Sequence, residues 1–548
     1  MKDNPWRLTS VSARLTDLGE TGLAGQGAEI EEALAPPSSW TASWVVSEWA
    51  LVGSIATALF FSHLLSSGRY GYFRDELYYA ICGQHLSWGY VDHAPLIALL
   101  TRFTRGLFGD SLYSLRFLPA LSAAAKILLT AWMVRELGGK RFAQVLAATV
   151  MFFCPVYLTM DSFLSMNSFE PLFWMGTAAI AMRIAAGGSP RLWLFLGAIA
   201  GVGILNKHSM LLFGLALLLG LLVSSGLRYF RSPWIWLGGL IAFAVFLPNL
   251  LWEIQNHYPT IEFLRNASYT KNAYVPWYNF IGQQALLVLP LSFPVCLAGL
   301  WFFFAAERGR PFRFLGWTYV LLLLLMIILR GRIYYLAPVY PMLFAAGAVW
   351  LEWKIAERNW DWAKQAILVP LAVGGIVAAP LAMPLLPVNA AADYASFWNV
   401  SKVHVETTQA GRLPQFFSDM IGWPEQAAVV ASVYRKLSPE DQARCIILAG
   451  NYGEASAINY FGATYGLPRA ISPHNSYYLW GPRENSGDVV ITLGIDEEVL
   501  HSLFGEVQQV AAINTVHAMP AETNLPVYVC RKPRQPLSQA WPRLKSYR

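Results

Sequence analysis

The chain has 548 residues and 61.0 kDa, of which 55% are hydrophobic and only 14% charged, with a mean hydropathy of +0.39. Soluble chains carry roughly 25% charged residues, so this composition excludes an ordinary soluble enzyme, a disordered protein and a nucleic-acid binder, and makes the bilayer the solvent to reason in. The net charge of +6 is an excess that membrane proteins place in cytoplasmic loops, and it says little about ligands.

In chain order, residues 1–43 read as a polar cytoplasmic tail with no secretory apolar region; the first long apolar run begins at Trp44. Apolar stretches suited to a hydrocarbon core of about 30 Å then recur at 44–65, 112–134, 142–159, 169–186, 192–206, 209–226, 233–251, 278–305, 314–329, 334–353 and 365–386. This pattern predicts about eleven transmembrane helices. Lys and Arg crowd one set of connections, among them Arg135, Lys140, Arg141, Arg308, Arg310, Arg313, Lys354, Arg358 and Lys364, which places the N-terminus inside and residues 387–548 outside.

The first outer segment, roughly 66–111, breaks that bias with Arg69, Arg74, Arg102 and Arg105. It reads Arg74-Asp75-Glu76-Leu77-Tyr78-Tyr79, then Tyr90-Val91-Asp92-His93-Ala94-Pro95-Leu96. Beyond it, Leu96, Leu99, Leu100, Phe103 and Leu107 fall on one helical face, which predicts an interfacial helix lying along the membrane. Asp75 and Glu76 are then carboxylates at a low-dielectric boundary, where a raised pKa suits proton transfer; simple solvation, or pairing with Arg74 or Arg69, is the alternative.

Further polar groups recur at the outer ends of the spans: Arg116, Asp161, Lys207, Arg265, Lys271 and Arg332. Juxtamembrane charge is costly, so a set on one side points to an anionic site there, and a lipid-linked phosphate fits Arg and Lys. Snorkelling or contact with ordinary anionic headgroups explains any single one equally well. The cysteines show neither CxxC nor zinc-finger spacing, and no HxxxH or HExxH motif occurs.

Taken in order and with their membrane placement, Arg74-Asp75-Glu76, Asp92-His93-Ala94-Pro95-Leu96 and Arg116-Phe117-Leu118-Pro119 resemble the GT-C membrane glycosyltransferases. The nearest likeness is to glycosyltransferase family 39, the protein O-mannosyltransferase and aminoarabinose transferase group, over roughly residues 44–355. The resemblance implies a polyprenyl-phosphate sugar donor, Asp75 as the base that activates an acceptor hydroxyl with Glu76 beside it, and a single inverting displacement. It also implies a donor-phosphate or substrate role for Arg74, Asp92, His93, Arg116, Asp161, Lys207, Arg265, Lys271 and Arg332. The Pro-Pro that often follows the His in that family is Ala94-Pro95 here. No Gly-rich phosphate loop or nucleotide-sugar Asp-x-Asp pair is present outside the spans, so the sequence requires no nucleotide or other cofactor, and a metal requirement stays open. Partners would be the polyprenyl-phosphate-linked sugar, membrane lipids and an acceptor lipid, glycan or protein, at the periplasmic side of a bacterial inner membrane.

After Pro380, Pro384 and Pro387 the chain turns polar and mixed, enough for one soluble C-terminal α/β domain. A strand at Cys445–Ala449, a turn at Gly450-Asn451-Tyr452-Gly453, a helix from Glu454 to Tyr465 and strands at Asp488–Leu493 and Val527–Cys530 are expected. A strand leading into a turn and helix is where α/β sheets place ligands. The aromatic stretch Ser472–Pro482 suits either sugar stacking or packing against the membrane part. A disulfide between Cys445 and Cys530 is open in an oxidising compartment. Two other functions fit a many-span chain with internal charge: a transporter, for which no matching half-repeat is present, and a lipid-linked polysaccharide ligase.

Overall fold

The computed structural model describes residues 40–270, 275–400, 411–482 and 487–548. The tail expected at 1–43 therefore lies almost wholly outside the described residues. Each expected span falls on helix, but not every one is a full crossing. Among the described residues six helices are long and apolar enough to cross a membrane: those ending at Ser66 and spanning Leu112–Glu136, Pro233–Gln255, Glu307–Ile328, Ile333–Arg358 and Asp361–Ala382. A seventh is a broken pair, Trp277–Leu287 and Pro290–Phe304, bent by 94°. By length and composition alone, six or seven of the about eleven expected spans are full crossings among the described residues. Arg141–Phe152, Leu192–Asn206 and Ser209–Ser225 are apolar but short.

Small residues let these helices close up. Gly197 and Gly238 face each other so tightly that a Cβ built on Gly197 would come within 2.0 Å of the Gly238 carbonyl oxygen. Close backbone approach of this kind is how helices pack where lipid supplies no hydrophobic drive.

The first outer segment folds into two helices, Arg74–Cys82 and Leu96–Phe108. The second buries Ile97, Ala98, Thr101 and Thr104 and turns Leu99, Phe103 and Leu107 away from the protein, as an interfacial helix does. Arg102 and Arg105 donate to the carbonyls of Gly83 and Ala80, tying one helix to the other.

The segment is anchored by one buried ion pair. Arg116, in the first turns of Leu112–Glu136, donates Nε to Glu76 Oε1 at 2.9 Å and Nη2 to Oε2 at 2.8 Å; both side chains are almost wholly buried. Most of the remaining valences are filled: Arg116 also bonds the carbonyls of Ser67 and Gly71, and Glu76 accepts the backbone N–H groups of Phe73 and Leu164. Additional hydrogen bonds of this kind are what make a buried pair tolerable. Lys126 and Asp161 form a second buried pair at 2.6 Å inside the bundle.

The C-terminal segment carries a mixed sheet of β1 (Cys445–Ala449), β2 (Val489–Leu493), β3 (Phe504–Ile513) and β4 (Leu525–Pro533) in the order β1-β2-β4-β3. β1 and β2 are parallel and both are buried throughout, while β4 runs antiparallel to β2 and to β3. Alternation sends Cys445, Ile447 and Ala449 to one face, with Val489, Ile491, Val527 and Val529, and Cys530 to the other with Ile446, Leu448 and Val490. The first face does not close on itself: it shares a core with Tyr78, Tyr79, Ile81, Tyr90 and Ile97 of the outer segment. Cys445 and Cys530 sit on strands separated by β2, on opposite faces, and both thiols are free. Two strand spacings of about 4.8 Å exceed the Cα separation a disulfide spans, which rules out the bridge left open by the sequence.

The turn after β1 is built from the sequence upward. Asn451 caps the helix Tyr452–Phe461 by accepting from the N–H groups of Gly453 and Glu454, and Glu454 reaches back to the N–H of Asn451, a reciprocal capping box. Asn451 Nδ2 also bridges Glu454 Oε1 at 2.7 Å and Glu522 Oε1 at 3.2 Å. Gly494, at φ +67°, leaves room for the Glu454 carboxylate where a Cβ would collide with it. Burial first, then the Glu522 charge, pushes Glu454 well above the usual carboxylate range; burial also raises Glu522.

Two outcomes follow from this architecture. Glu76→Ala strands a buried guanidinium and should cost about 3–5 kcal/mol of stability, seen as a lower melting temperature in detergent. Because folding raises the Glu454 and Glu522 pKa values, the folded state binds more protons, and the pair's contribution to stability is fullest below the ordinary value of 4.5 and declines as pH rises through the raised values. Glu522→Gln should flatten that slope in melting curves recorded from pH 4 upward; an unchanged slope assigns it to other groups.

Candidate functional site

A cavity of about 510 Å³ opens where the outer segment, the helix ends and the C-terminal segment meet. From the outer segment it takes Arg74, Asp75, Asp92 and His93; from the helix ends Asn167, Lys207, His208, Arg332, Tyr334 and Tyr335; from the C-terminal segment Asp419 and Tyr452. One side is apolar, with Leu212, Phe263, Leu264, Met326 and Leu329.

Asp75 lies in the first turn of Arg74–Cys82, one residue before the buried Glu76, so the anchor that holds Glu76 inward leaves Asp75 facing the cavity. Its Oδ1 accepts from the Tyr452 hydroxyl at 2.7 Å, and its other oxygen has no hydrogen bond among the described residues. Asp92 is differently placed: Oδ1 accepts from Tyr78 at 2.8 Å and Oδ2 from Asn475 at 3.0 Å, so both oxygens are engaged. Asp419 is buried beside Arg74 at 3.7 Å. Arg74 also lies over the Tyr452 ring, 5.6 Å from its centroid.

Lys207 follows the Leu192–Asn206 helix. Its ammonium donates to Asn167 Oδ1 at 2.8 Å and Glu170 Oε2 at 2.7 Å and rests 4.7 Å from the Tyr335 ring centroid. Arg332 donates to the Tyr334 hydroxyl at 3.3 Å. Beside them, His208 meets Asn249 Oδ1 at 2.9 Å, a structural contact.

His93 is buried, ringed by Tyr78, Tyr79 and Tyr90, with the Tyr90 ring stacked at 4.5 Å. Burial lowers its pKa against the opposing pull of Asp92. Nδ1 lies 3.0 Å from the Ala94 carbonyl, which can only accept, so the proton of the neutral ring is placed there. That leaves Nε2 as a buried lone pair without a hydrogen bond among the described residues. A lone pair does not serve a phosphate, so the geometry gives no support to the phosphate contact expected of His93.

The structure therefore brings together Arg74, Asp75, Asp92, His93, Lys207 and Arg332. It does not bring Glu76, Arg116, Asp161 or Arg265 to the cavity wall. Glu76 and Arg116, expected as catalytic neighbour and phosphate ligand, pair with each other. Asp161, expected at the site, pairs with Lys126. Arg265 is exposed and does not line the cavity. Lys271 lies outside the described residues. Among the described residues no cluster of His, Cys, Asp and Glu is arranged to hold a metal ion.

Sequence reasoning missed Asp419 and the place of Tyr452. The second was within reach, since Asn451-x-x-Glu454 after a buried strand marks a helix start at the carboxyl end of a sheet strand. Lys126, alone inside an apolar span, was a signal of the same kind, because an intramembrane lysine calls for a partner.

Comparison with known proteins agrees with this architecture. The family of dolichyl-phosphate-mannose-protein mannosyltransferases matches residues 92–252. No curated protein matches the chain. Among solved structures, ArnT from Cupriavidus metallidurans in the apo state is similar with a TM-score of 0.59 and 18% identity, over 90% of this chain and 98% of that one. The same protein bound to undecaprenyl phosphate gives a TM-score of 0.58 and 17% identity, over 89% and 98%. With the outer-loop acid, the cationic cavity and the bundle of apolar helices in place, these likenesses establish that the chain has the GT-C membrane glycosyltransferase fold.

Proposed function

We propose that the protein transfers a sugar from a polyprenyl-phosphate donor to an acceptor hydroxyl of a lipid, glycan or protein, with Asp75 as base. The observation that carries this reading is the cavity itself. It sets one carboxylate with an open oxygen, the cations Lys207 and Arg332 and an apolar wall around about 510 Å³ at one end of an apolar helix bundle. Of the three cavity carboxylates, Asp92 has both oxygens engaged and Asp419 is buried against Arg74, which leaves Asp75 to take a proton. The undecaprenyl phosphate held by ArnT, whose fold this chain shares, supports a lipid phosphate as the leaving group.

The step balances as a single displacement. The acceptor oxygen bonds to the anomeric carbon while its proton passes to Asp75. The bond from that carbon to the phosphate oxygen breaks, and its electron pair leaves with the polyprenyl phosphate. Inversion follows because attack and departure lie on opposite faces. Lys207 and Arg332 would stabilise the phosphate charge, in a cavity where low dielectric strengthens such contacts. Glu170 offsets part of the Lys207 charge. The apolar wall at Leu212, Phe263 and Met326 would receive the first prenyl units. We place this chemistry, and the C-terminal α/β part, at the periplasmic face of a bacterial inner membrane.

The test is transfer of radiolabelled hexose from polyprenyl phosphate in reconstituted vesicles. Asp75→Asn should lower transfer by about 10²–10⁴-fold without changing the melting temperature, the usual range for loss of a general base. Full activity of Asp75→Asn would overturn the assignment, and label accumulating inside sealed vesicles without an acceptor would indicate transport instead.

A further inference from the structure

Tyr452 belongs to the C-terminal segment, yet its hydroxyl is the one hydrogen-bonding group that the described residues place on Asp75. We propose that Tyr452 is a positioning residue for the base: it holds Asp75 Oδ1 from across the chain and thereby directs the other oxygen at the acceptor, so that the C-terminal segment completes the catalytic site. This inference rests on the reading of Asp75 as base and adds a role for a part of the chain that the reading itself does not use.

The placement of Tyr452 is determined from several sides. Its ring is buried, packed 4.7 Å from Tyr78 and 5.2 Å from His474, with the Arg74 guanidinium over it. The backbone beneath it is fixed by the Asn451 cap and by the two carboxylates that share Asn451 Nδ2. Gly453 lets this turn lie directly on the outer segment, since a Cβ there would come within 2.7 Å of Arg74 Cγ. The hydroxyl therefore has little freedom to swing away from Asp75, and the rotamer entropy that a surface contact would cost has already been lost in packing.

The bond has a fixed polarity. Desolvation first, with the negative charges of Asp75 and Asp92 adding to it and Arg74 opposing it, holds the Tyr452 hydroxyl protonated far above neutral pH. It is a constant donor to the carboxylate. The same carboxylate also faces Tyr79 and His93 on the outer segment, with Asp92 nearby. Neutral Tyr79 and His93 and the engaged Asp92 all stay in place when Tyr452 loses its hydroxyl, so the change isolates one donor. Asp92 provides an internal comparison: Tyr78 and Asn475 cap both its oxygens, whereas Tyr452 caps one oxygen of Asp75.

The test uses the full chain in vesicles and reads kcat and KM for hexose transfer separately. Tyr452→Phe, which keeps the ring and its packing, should lower kcat about tenfold or more with KM for the donor little changed. Replacement of Tyr452 by a ring-fluorinated tyrosine, which keeps the hydroxyl donor, should leave kcat close to that of the unsubstituted chain. Loss in Tyr452→Phe carried by KM for the donor, or no loss at all, overturns the inference while Asp75→Asn remains inactive; if Asp75→Asn is active, the underlying reading has failed first. A melting temperature matched to the unsubstituted chain shows that Tyr452→Phe is folded, and if it is not, 4-fluorophenylalanine at position 452, which keeps the ring and its length but donates no proton, decides by the same split.

Discussion

The buried pair between Arg116 and Glu76 is the constraint on which the site depends. In a bilayer-facing protein two charges lose more by desolvation than a single contact returns, and they persist only where further hydrogen bonds support them. Here Ser67, Gly71, Phe73 and Leu164 supply the missing partners through their backbones. One side-chain pair thus pins the end of the first span, the start of the Arg74–Cys82 helix, the second long helix and the strand of chain before Met166. Because successive residues of a helix point about 100° apart, fixing Glu76 inward fixes Asp75 toward the cavity. The acidic pair in the sequence has divided its labour: one member builds, the other is left available.

A second consequence is that the site is composite. The outer segment contributes Asp75 and Asp92, the helix ends contribute Lys207 and Arg332, and the C-terminal segment contributes Asp419 and Tyr452. Two of these parts share one core, since one face of the sheet packs on Tyr78, Tyr79 and Ile97. The C-terminal segment is therefore part of the cavity's construction and not an appendage, and the aromatic stretch around Tyr477 packs where sugar stacking was the alternative.

Much of this was legible in the sequence. Hydropathy located the helices, strand β1 fell at the expected residues, and the charged positions of the outer segment pointed to the cavity. What the sequence could not show was tertiary pairing. Arg116, Lys207 and Arg332 look alike as outer cations, yet the first is consumed by Glu76 and only the other two reach the cavity, a distinction made by residues 40 positions or more away. Composition also hid local geometry: the run around 278–305 is one apolar stretch in sequence but turns through 94° at Val288-Leu289. Strand β3 was missed because its exposed edge reads Gly-Glu-Val-Gln-Gln, with no apolar alternation to reveal it.

For the proposed transfer, the phosphate of a polyprenyl lipid and the open oxygen of Asp75 must share one cavity. An experimental structure of the protein in lipid nanodiscs with polyprenyl phosphate bound decides this. Phosphate density is expected within hydrogen-bond reach of Arg332 or Lys207, with the prenyl chain leaving along Leu212, Phe263 and Met326 and Asp75 facing the gap that a sugar would fill. Phosphate density outside this cavity, with Asp75 turned away from it, would overturn the proposed transfer.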